Sequence, residues 1–331
     1  MIPSRAWKTV AMHPVVRAGL GAVALGAAGL GYASLIERNA YVLRRRSVPV
    51  LPRGHRPLRV LHLSDLHLMP GQRRKVEWVR SLAALQPDLV VNTGDNLAHR
   101  DSVPVALDAY EPLMGVPGVF VLGSNDYFEP GLRNPFNYFR EDPRVQGATP
   151  ARLPTDDLVR GMTDGGWTDL TNRRAILEVA GVTTEFVGVD DPHLDYDRYD
   201  LVEGVAEESA MLTIGVTHAP YQRTLDAMTK DGAALVIAGH THGGQLCLPF
   251  YGALVTNCDL DTSRVKGVSR WWPGAGSEPS SAAPPDAAWL EVSAGLGTSP
   301  YAPFRFACRP EATLLTLQPA HHQAMGHPRP A

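Results

Sequence analysis

Five short stretches of the chain carry residues that could do chemistry. They are Asp65 and His67 in "SDLH", Asp95 and Asn96 in "TGDN", Ser124, Asn125 and Asp126 in "GSND", His218 in "VTH", and His240 and His242 in "GHTHGGQ". Carboxylates, imidazoles and a neutral amide are donors that suit Mn²⁺, Fe or Zn²⁺ without any thiolate. A carboxylate such as Asp95 can bridge two cations. Two ions about 3.5–4 Å apart can hold a phosphoryl oxygen and lower the pKa of a bridging water, whose hydroxide attacks phosphorus in line. Each residue alone has an ordinary explanation, since a lone H-x-H is as easily a hydrogen-bonded pair as a ligand pair. Burying this many acids and imidazoles together without a cation is costly, and that argues for metal.

Such residues must be brought together by elements far apart in the chain. "LRVLHLSD", "PDLVVNTGD" and "PGVFVLGSND" are apolar runs ending in polar residues, with a helix over 72–86 marked by Val76, Val79, Leu82 and Leu85. Continuous rather than alternating apolar residues predict parallel strands buried on both faces. "AILEVAG" and "TTEFVGVDD" read as a strand pair around Gly181, "MLTIGVTH" and "AALVIAGH" as two strands joined by a helix near 221–231, and "AWLEVSAGLG" and "ATLLTLQP" as late strands. Every candidate group then falls at the carboxyl end of a strand, where open α/β sheets gather ligands. Asp65 to Asp95 is 30 residues and Asp95 to Asn125 is 30 again, about one βαβ unit. Asp65 and His67, like His240 and His242, are two apart and point the same way on extended chain. Glycines 94, 123, 239, 243 and 244 allow sharp turns and close approach.

The 331 residues suffice for one large α/β domain or two small ones, and 44% apolar with 20% charged residues suits a sizeable core. A net charge of −3 gives no nucleic-acid surface, and three cysteines do not make a disulfide framework. Residues 18–36 hold 19 positions without a charge, flanked by Arg17 and by Glu37 and Arg38. That length just spans a bilayer as a helix. A membrane anchor, an export signal and a buried or surface helix all fit the pattern; the anchor is taken as the expectation. Arg44 to Arg46 tilt the main domain slightly towards the cytoplasmic side. The expected organisation is an anchor or signal-like segment over 1–46, a linker over 47–56 and one catalytic domain over 57–318. That domain includes an irregular cap at 127–165 and a flexible loop at 272–286, and a disordered tail covers 319–331.

D-x-H, G-D-N, a variant third motif, V-T-H and G-H-T-H-G-G-Q, in this order, resemble the calcineurin-like metallophosphoesterases over roughly 57–317. "SAGLGTSPYAPFRFACRPEATLL" also looks like the C-terminal segment of the YkuE-like branch. The resemblance implies a four-layer α/β/β/α sandwich with a binuclear centre, here preceded by the hydrophobic helix. It implies that Asp65, His67, Asp95 and His242 hold one metal. Asp95 as the bridge, the amide of the third motif, His218 and His240 would hold the other. The activity it implies is hydrolysis of a phosphodiester or pyrophosphate by two divalent ions. The membrane position invites a lipid or cell-envelope phosphoester.

The third motif departs from the family's usual G-N-H-[DE]. Either Ser124 lies near the metal and the imidazole is lost, or the turn shifts and Asn125 supplies the amide oxygen; the second is the expectation. In both cases that turn lacks the histidine that in the family protonates the leaving group or steadies the transition state, and general-acid help is typically worth about 10²–10⁴-fold. His99 is the nearest replacement in sequence, with a surface role equally open to it. Asp126 could orient Asn125 or merely cap the turn. Arg305 could meet a phosphate oxygen or lie on the surface. Asn96 could contact substrate or brace its turn, and Ser124 is the remaining candidate for substrate contact. His55, His62 and His193 have no comparable context, and Cys247 reads as a buried filler. The rivals to an enzyme are a metal-binding module disabled by "GSND" and a membrane scaffold that holds partners.

Overall fold

The computed structural model describes residues 14–131 and 150–320, with side chains from residue 19 onward at the N-terminal end. Strands and helices are numbered in chain order. The first sheet runs β1 (Val42–Leu51), β14 (Glu311–Pro319), β2 (Leu58–Leu63), β3 (Leu89–Asn92), β4 (Gly118–Phe120) and β5 (Trp167–Asp169). The second runs β12 (Gly267–Trp271), β13 (Ala288–Val292), β9 (Leu235–Ala238), β8 (Leu212–Thr217), β7 (Val182–Gly188) and β6 (Arg173–Val179). β2, β3, β4 and β5 are mutually parallel, as are β7, β8, β9 and β13. Each sheet therefore has one edge at which several carboxyl ends collect.

The strands alternate between two apolar surroundings, which explains their unbroken apolar sequences. Leu58 and Val60 face the second sheet and meet Phe186, Ile214 and Ile237 in the inner core. Leu61 and Leu63 face outward to α2 (Arg73–Ser81), α3 (Val103–Tyr110) and α5 (Thr155–Asp164), which supply Val79, Tyr110, Leu158 and Met162. On the far side, Leu225 and Met228 of α6 (Gln222–Lys230) cover Val187, Val236 and Leu290. The layers are helix, sheet, sheet, helix, as the resemblance implied.

α1 (Pro14–Gly31) continues through a π-helical turn, Tyr32–Ile36. Gly19–Asn39 is apolar and long enough to cross a membrane, and only 6% of its most apolar 18-residue window is buried within the chain. It is therefore not a core helix. The expected linker over 47–56 is corrected in its first half: residues 47–51, with 42–46 before them, are β1, paired in parallel with β14. Arg44, Arg45, Arg46 and Pro49 do not look like a buried strand, but β1 is an edge strand, where charge and proline are tolerated. The expected irregular cap is likewise half corrected. Residues 132–149 lie outside the described residues, whereas 155–164 form α5, a core-packed helix. Most of the expected tail, from 321 on, also lies outside them. The 272–286 loop is fastened by Arg264, whose guanidinium donates to the carbonyls of Gly276 and Glu278.

Candidate metal centre

The carboxyl ends of β2, β3 and β4 meet those of β8 and β9 across the top of the two sheets. Asp65 accepts from the backbone N–H of His240 at 3.2 Å on Oδ1 and 3.0 Å on Oδ2. The Nδ1 of His218 lies 2.7 Å from the carbonyl of Thr93. Asp65, His67, Asp95, His240 and His242 all sit in the left-handed region, with φ of 51°, 42°, 54°, 67° and 49°. For non-glycine residues that conformation is strained, and such strain gathers where a ligand needs it. Two glycines make room without using that freedom. A Cβ on Gly239 would stand 1.9 Å from the Ser64 Oγ, and one on Gly123 2.4 Å from the Asp95 Oδ1.

The donors form two neighbouring groups that share Asp95. In the first, Asp65, His67, Asp95 and His242 offer ligand atoms all within 4.8 Å of one another. The Nε2 atoms of His67 and His242 face each other at 3.2 Å, His67 Nε2 is 3.4 Å from Asp95 Oδ2, and His242 Nε2 is 3.7 Å from Asp65 Oδ1. In the second, His218 Nε2 lies 3.2 Å from His240 Nδ1 and 3.7 Å from Asp95 Oδ1. The other ring nitrogens are turned outward. His218 Nδ1 meets Thr93 O, and His240 Nε2 lies 3.1 Å from Asn257 O. A ring that donates to a carbonyl keeps its remaining lone pair aimed inward, which is how metal-binding histidines are oriented.

Electrostatics fit a cation. Burial pushes His67 down to about 4, and His240 and His242 well below the usual imidazole range, so these rings are neutral at pH 7. Burial raises Asp65 to about 6. Burial also acts to raise Asp95, but the imidazoles of His218 and His67 and the N–H groups of Asn125 hold it below the carboxylate range. Against burial, Asp95, Asp191 and Asp65 raise His218 to about 9. Without metal, one imidazole thus carries positive charge that the surrounding acids call for. Buried acids and neutral rings converging on one space, with strained backbone holding them there, suit a divalent ion.

The third motif forms one turn of helix, α4 (Ser124–Tyr127). Asn125 lies against Asp95: its N–H donates to Oδ1 at 2.7 Å and its Nδ2 to Oδ2 at 2.8 Å. Rotating the carboxamide would put its oxygen in the same place. Ser124 is half-buried, and its Oγ accepts from Asn125 Nδ2 at 3.3 Å. Asp126 is fully buried and accepts from the N–H groups of Asp95, Asn96 and Gly123. Its carboxylate is taken up by these N–H groups and by Asn96 Nδ2, so it caps and braces the turns instead of orienting the Asn125 side chain. The side chain of Asn96 is buried, accepts from Tyr110 and Asn92 and donates to Asp126, and so braces its turn. His99 is partly exposed, and its Nδ1 accepts from the N–H of Asp101 at 3.1 Å.

Arg305 is neither on the surface nor open to a phosphate. It is fully buried. Its Nη2 donates to the carbonyls of Ala294 and Gly297 at 2.7 Å each and approaches His242 Nδ1 at 3.2 Å. It fixes the ring of His242. Three further groups escaped sequence reasoning. Glu291, His62, Thr93 and Ser64 form a buried hydrogen-bonded chain ending on Asp65 Oδ2. His193 packs on His240, with ring centroids 4.6 Å apart. Asp191 is fully buried, with Oδ2 lacking a hydrogen-bond partner, and burial raises its pKa to about 7. Both follow β7, whose end lies beside that of β8. The strand-end rule that found the other residues applies equally to "VGVDDPH".

Residues 58–244 match the family model described as Calcineurin-like phosphoesterase. The chain belongs to the calcineurin-like phosphoesterase family. It is thus a metal-dependent phosphoester hydrolase. It is similar to the Uncharacterized protein YpbG of Bacillus subtilis (strain 168), 28% identical over 80% of this chain and 83% of that one. It is also similar to the Uncharacterized metallophosphoesterase YkuE of the same organism, 26% identical over 94% of this chain and 99% of that one. A Transmembrane protein with metallophosphoesterase domain from Danio rerio is 25% identical over 60% of this chain and 44% of that one.

Proposed function

We propose that this member of the family hydrolyses a phosphodiester or pyrophosphate with two divalent metal ions and works attached to a membrane. The observation that carries the two-ion reading is the carboxylate of Asp95, with Oδ2 towards His67 and Oδ1 towards His218. Asp65, His67, Asp95 and His242 would hold one ion, and Asp95, Asn125, His218 and His240 the other. Bound there, the ions supply positive charge to phosphoryl oxygens and acidify water. The protein's own part is positioning. Arg305 fixes His242, the Glu291-to-Ser64 chain fixes Asp65, and Asp126 holds the turn that carries Asp95. Ser124, half-buried at the same turn, is the residue best placed to meet substrate.

The membrane reading is supported by the apolar, little-buried Gly19–Asn39 helix. The similar Danio rerio protein is named as transmembrane. A substrate carried on a lipid or in the cell envelope suits that position.

Two measurements test the reading together. Metal analysis of the purified chain is expected to give two ions per chain, and Mn²⁺ to support turnover of bis-p-nitrophenyl phosphate. One ion per chain with full activity defeats the two-ion reading. A second reading is favoured by the Ser124–Asn125 departure: a metal-binding module with little turnover. Two bound ions with no hydrolysis of any diester or pyrophosphate would establish it.

A further inference from the structure

Beside the metal centre the chain exposes an apolar hairpin that its own core does not explain. β10 (Cys247–Leu248) and β11 (Gly252–Ala253) are joined by a turn, and around it Leu246, Leu248, Phe250, Tyr251 and Leu254 are all exposed. Phe250 is fully exposed and Tyr251 76% exposed. Contiguous apolar surface of this kind marks a contact with a membrane or another protein.

The neighbours of the hairpin select the membrane. Its base pairs with Phe306: Cys247 N donates to Phe306 O at 2.9 Å, and Phe306 N to Gln245 O at 3.1 Å. The Phe306 ring meets that of Tyr32, in the candidate span, edge-on at 6.3 Å. The same loop holds the end of that span through Arg305 N to Ala33 O and Arg38 Nη1 to Pro303 O. Hairpin and span are therefore fixed to one loop, side by side.

At the end of the span, whose Arg38 and Asn39 form part of its wall, lies a cleft of about 210 Å³ lined also by Arg73, Arg74 and Lys75, with no carboxylate in its wall. Neither Arg73 nor Arg74 has an ion-pair partner among the described residues; Lys75 is buried with its Nζ donating to Leu66 O at 2.7 Å, so the charge of the cleft comes from the arginines. The space is below the roughly 300–1,000 Å³ of drug-sized ligand sites and suits a headgroup. Phenylalanine and tyrosine beside basic residues are the side chains that settle at the interface of an anionic bilayer.

We propose that the β10–β11 hairpin dips into the bilayer beside the N-terminal helix, and that the basic cleft holds the phosphate of an anionic phospholipid there. The hairpin begins three residues after the G-H-T-H-G-G turn ends at Gly244, so this docking presents the metal centre to the membrane surface. The inference rests on reading the helix as an anchor, and the experiment separates the two. The full chain is reconstituted in nanodiscs with p-benzoylphenylalanine replacing Phe250 or, as control, exposed Val205, and adducts are read by mass spectrometry after irradiation.

Lipid adducts are expected at 250 and not at 205, with severalfold higher yield when phosphatidylglycerol is mixed into phosphatidylcholine. Arg73→Gln with Arg74→Gln should abolish that gain and leave turnover of a soluble diester unchanged. An anchored chain that gives no adduct at 250, or equal adducts at 205, overturns the hairpin's role. Equal yields in the two bilayers overturn the anionic cleft. Wild-type chain released from membranes by alkaline carbonate defeats the anchor reading instead.

Discussion

The two halves of the candidate centre are built differently. In the half made by Asp65, His67, Asp95 and His242, four side chains close on one point. Its rings are neutral, and Arg305 holds one of them from behind. The other half has His218 and His240 in place, but its third wall is a serine and an asparagine, and the buried Asp191, which adds to the negative charge around His218, has an unpartnered oxygen. A closed set of donors fixes an ion. A set with a looser wall leaves room for substrate oxygen to complete it, as catalytic sites do. The first half therefore reads as the anchor of the centre and the second as its variable side.

The variant expected to do most is Asp95→Ala, because it removes the one group both halves share. Metal analysis should show loss of both ions, and turnover of a diester should fall by on the order of 10³-fold, the scale of several kcal/mol of lost charge stabilisation. His218→Ala should remove one ion and spare the other. Loss of both ions in His218→Ala would mean that the halves are not separable.

Arg305→Gln tests the closed half alone. Its guanidinium can only donate to His242 Nδ1 and sets a buried positive charge beside the site, so removing it should strengthen cation binding, by about tenfold at most. A calorimetric titration of the metal-free chain reads it. Unchanged affinity would make Arg305 a brace for the 294–297 loop and nothing more.

Much of this was legible from the sequence, for a physical reason. Parallel strands buried on both faces announce themselves as apolar runs, and polar residues at their ends have few other reasons to be there. That logic located Asp65, Asp95, His218 and His240. It could not place Arg305, because an arginine in an irregular loop looks solvated until the carbonyls of 294, 295 and 297 are seen converging on it. Nor could it separate brace from contact at Asn96 and Asp126, a distinction that depends on which N–H groups point at them. β1 was hidden by its charges, which an edge strand tolerates. Asp191 and His193 were within reach of the same strand-end logic.

Acidity should weaken the closed half progressively. Burial sets Asp65 near 6 in the metal-free chain, so at pH 7 it is mostly ionised and ready to bind. At pH 5 roughly a tenth remains ionised, and a proton must leave before metal enters. Metal affinity should fall by about tenfold over that interval, with release of a proton seen as a buffer-dependent binding heat. His67, lowered to about 4, should add nothing until the pH is lower still. Affinity constant from pH 7 to 5 would show that Asp65 is ionised throughout.

The smallest expected effects decide how the variable half is closed. Asn125 touches both oxygens of Asp95, whereas Ser124 reaches the site through Asn125 Nδ2. If the carboxamide is the third donor there, Asn125→Ala should cost at least about tenfold in affinity for the second ion, the lower end of what losing even an outer partner of a ligand costs. Ser124→Ala should change that affinity little and raise KM instead, because a half-buried hydroxyl at the mouth of the turn serves substrate better than metal. The reverse pattern would put the serine hydroxyl at the metal. The turn would then use its first polar residue as the family's usual motif does, and Asn125 would stand where the missing imidazole should be.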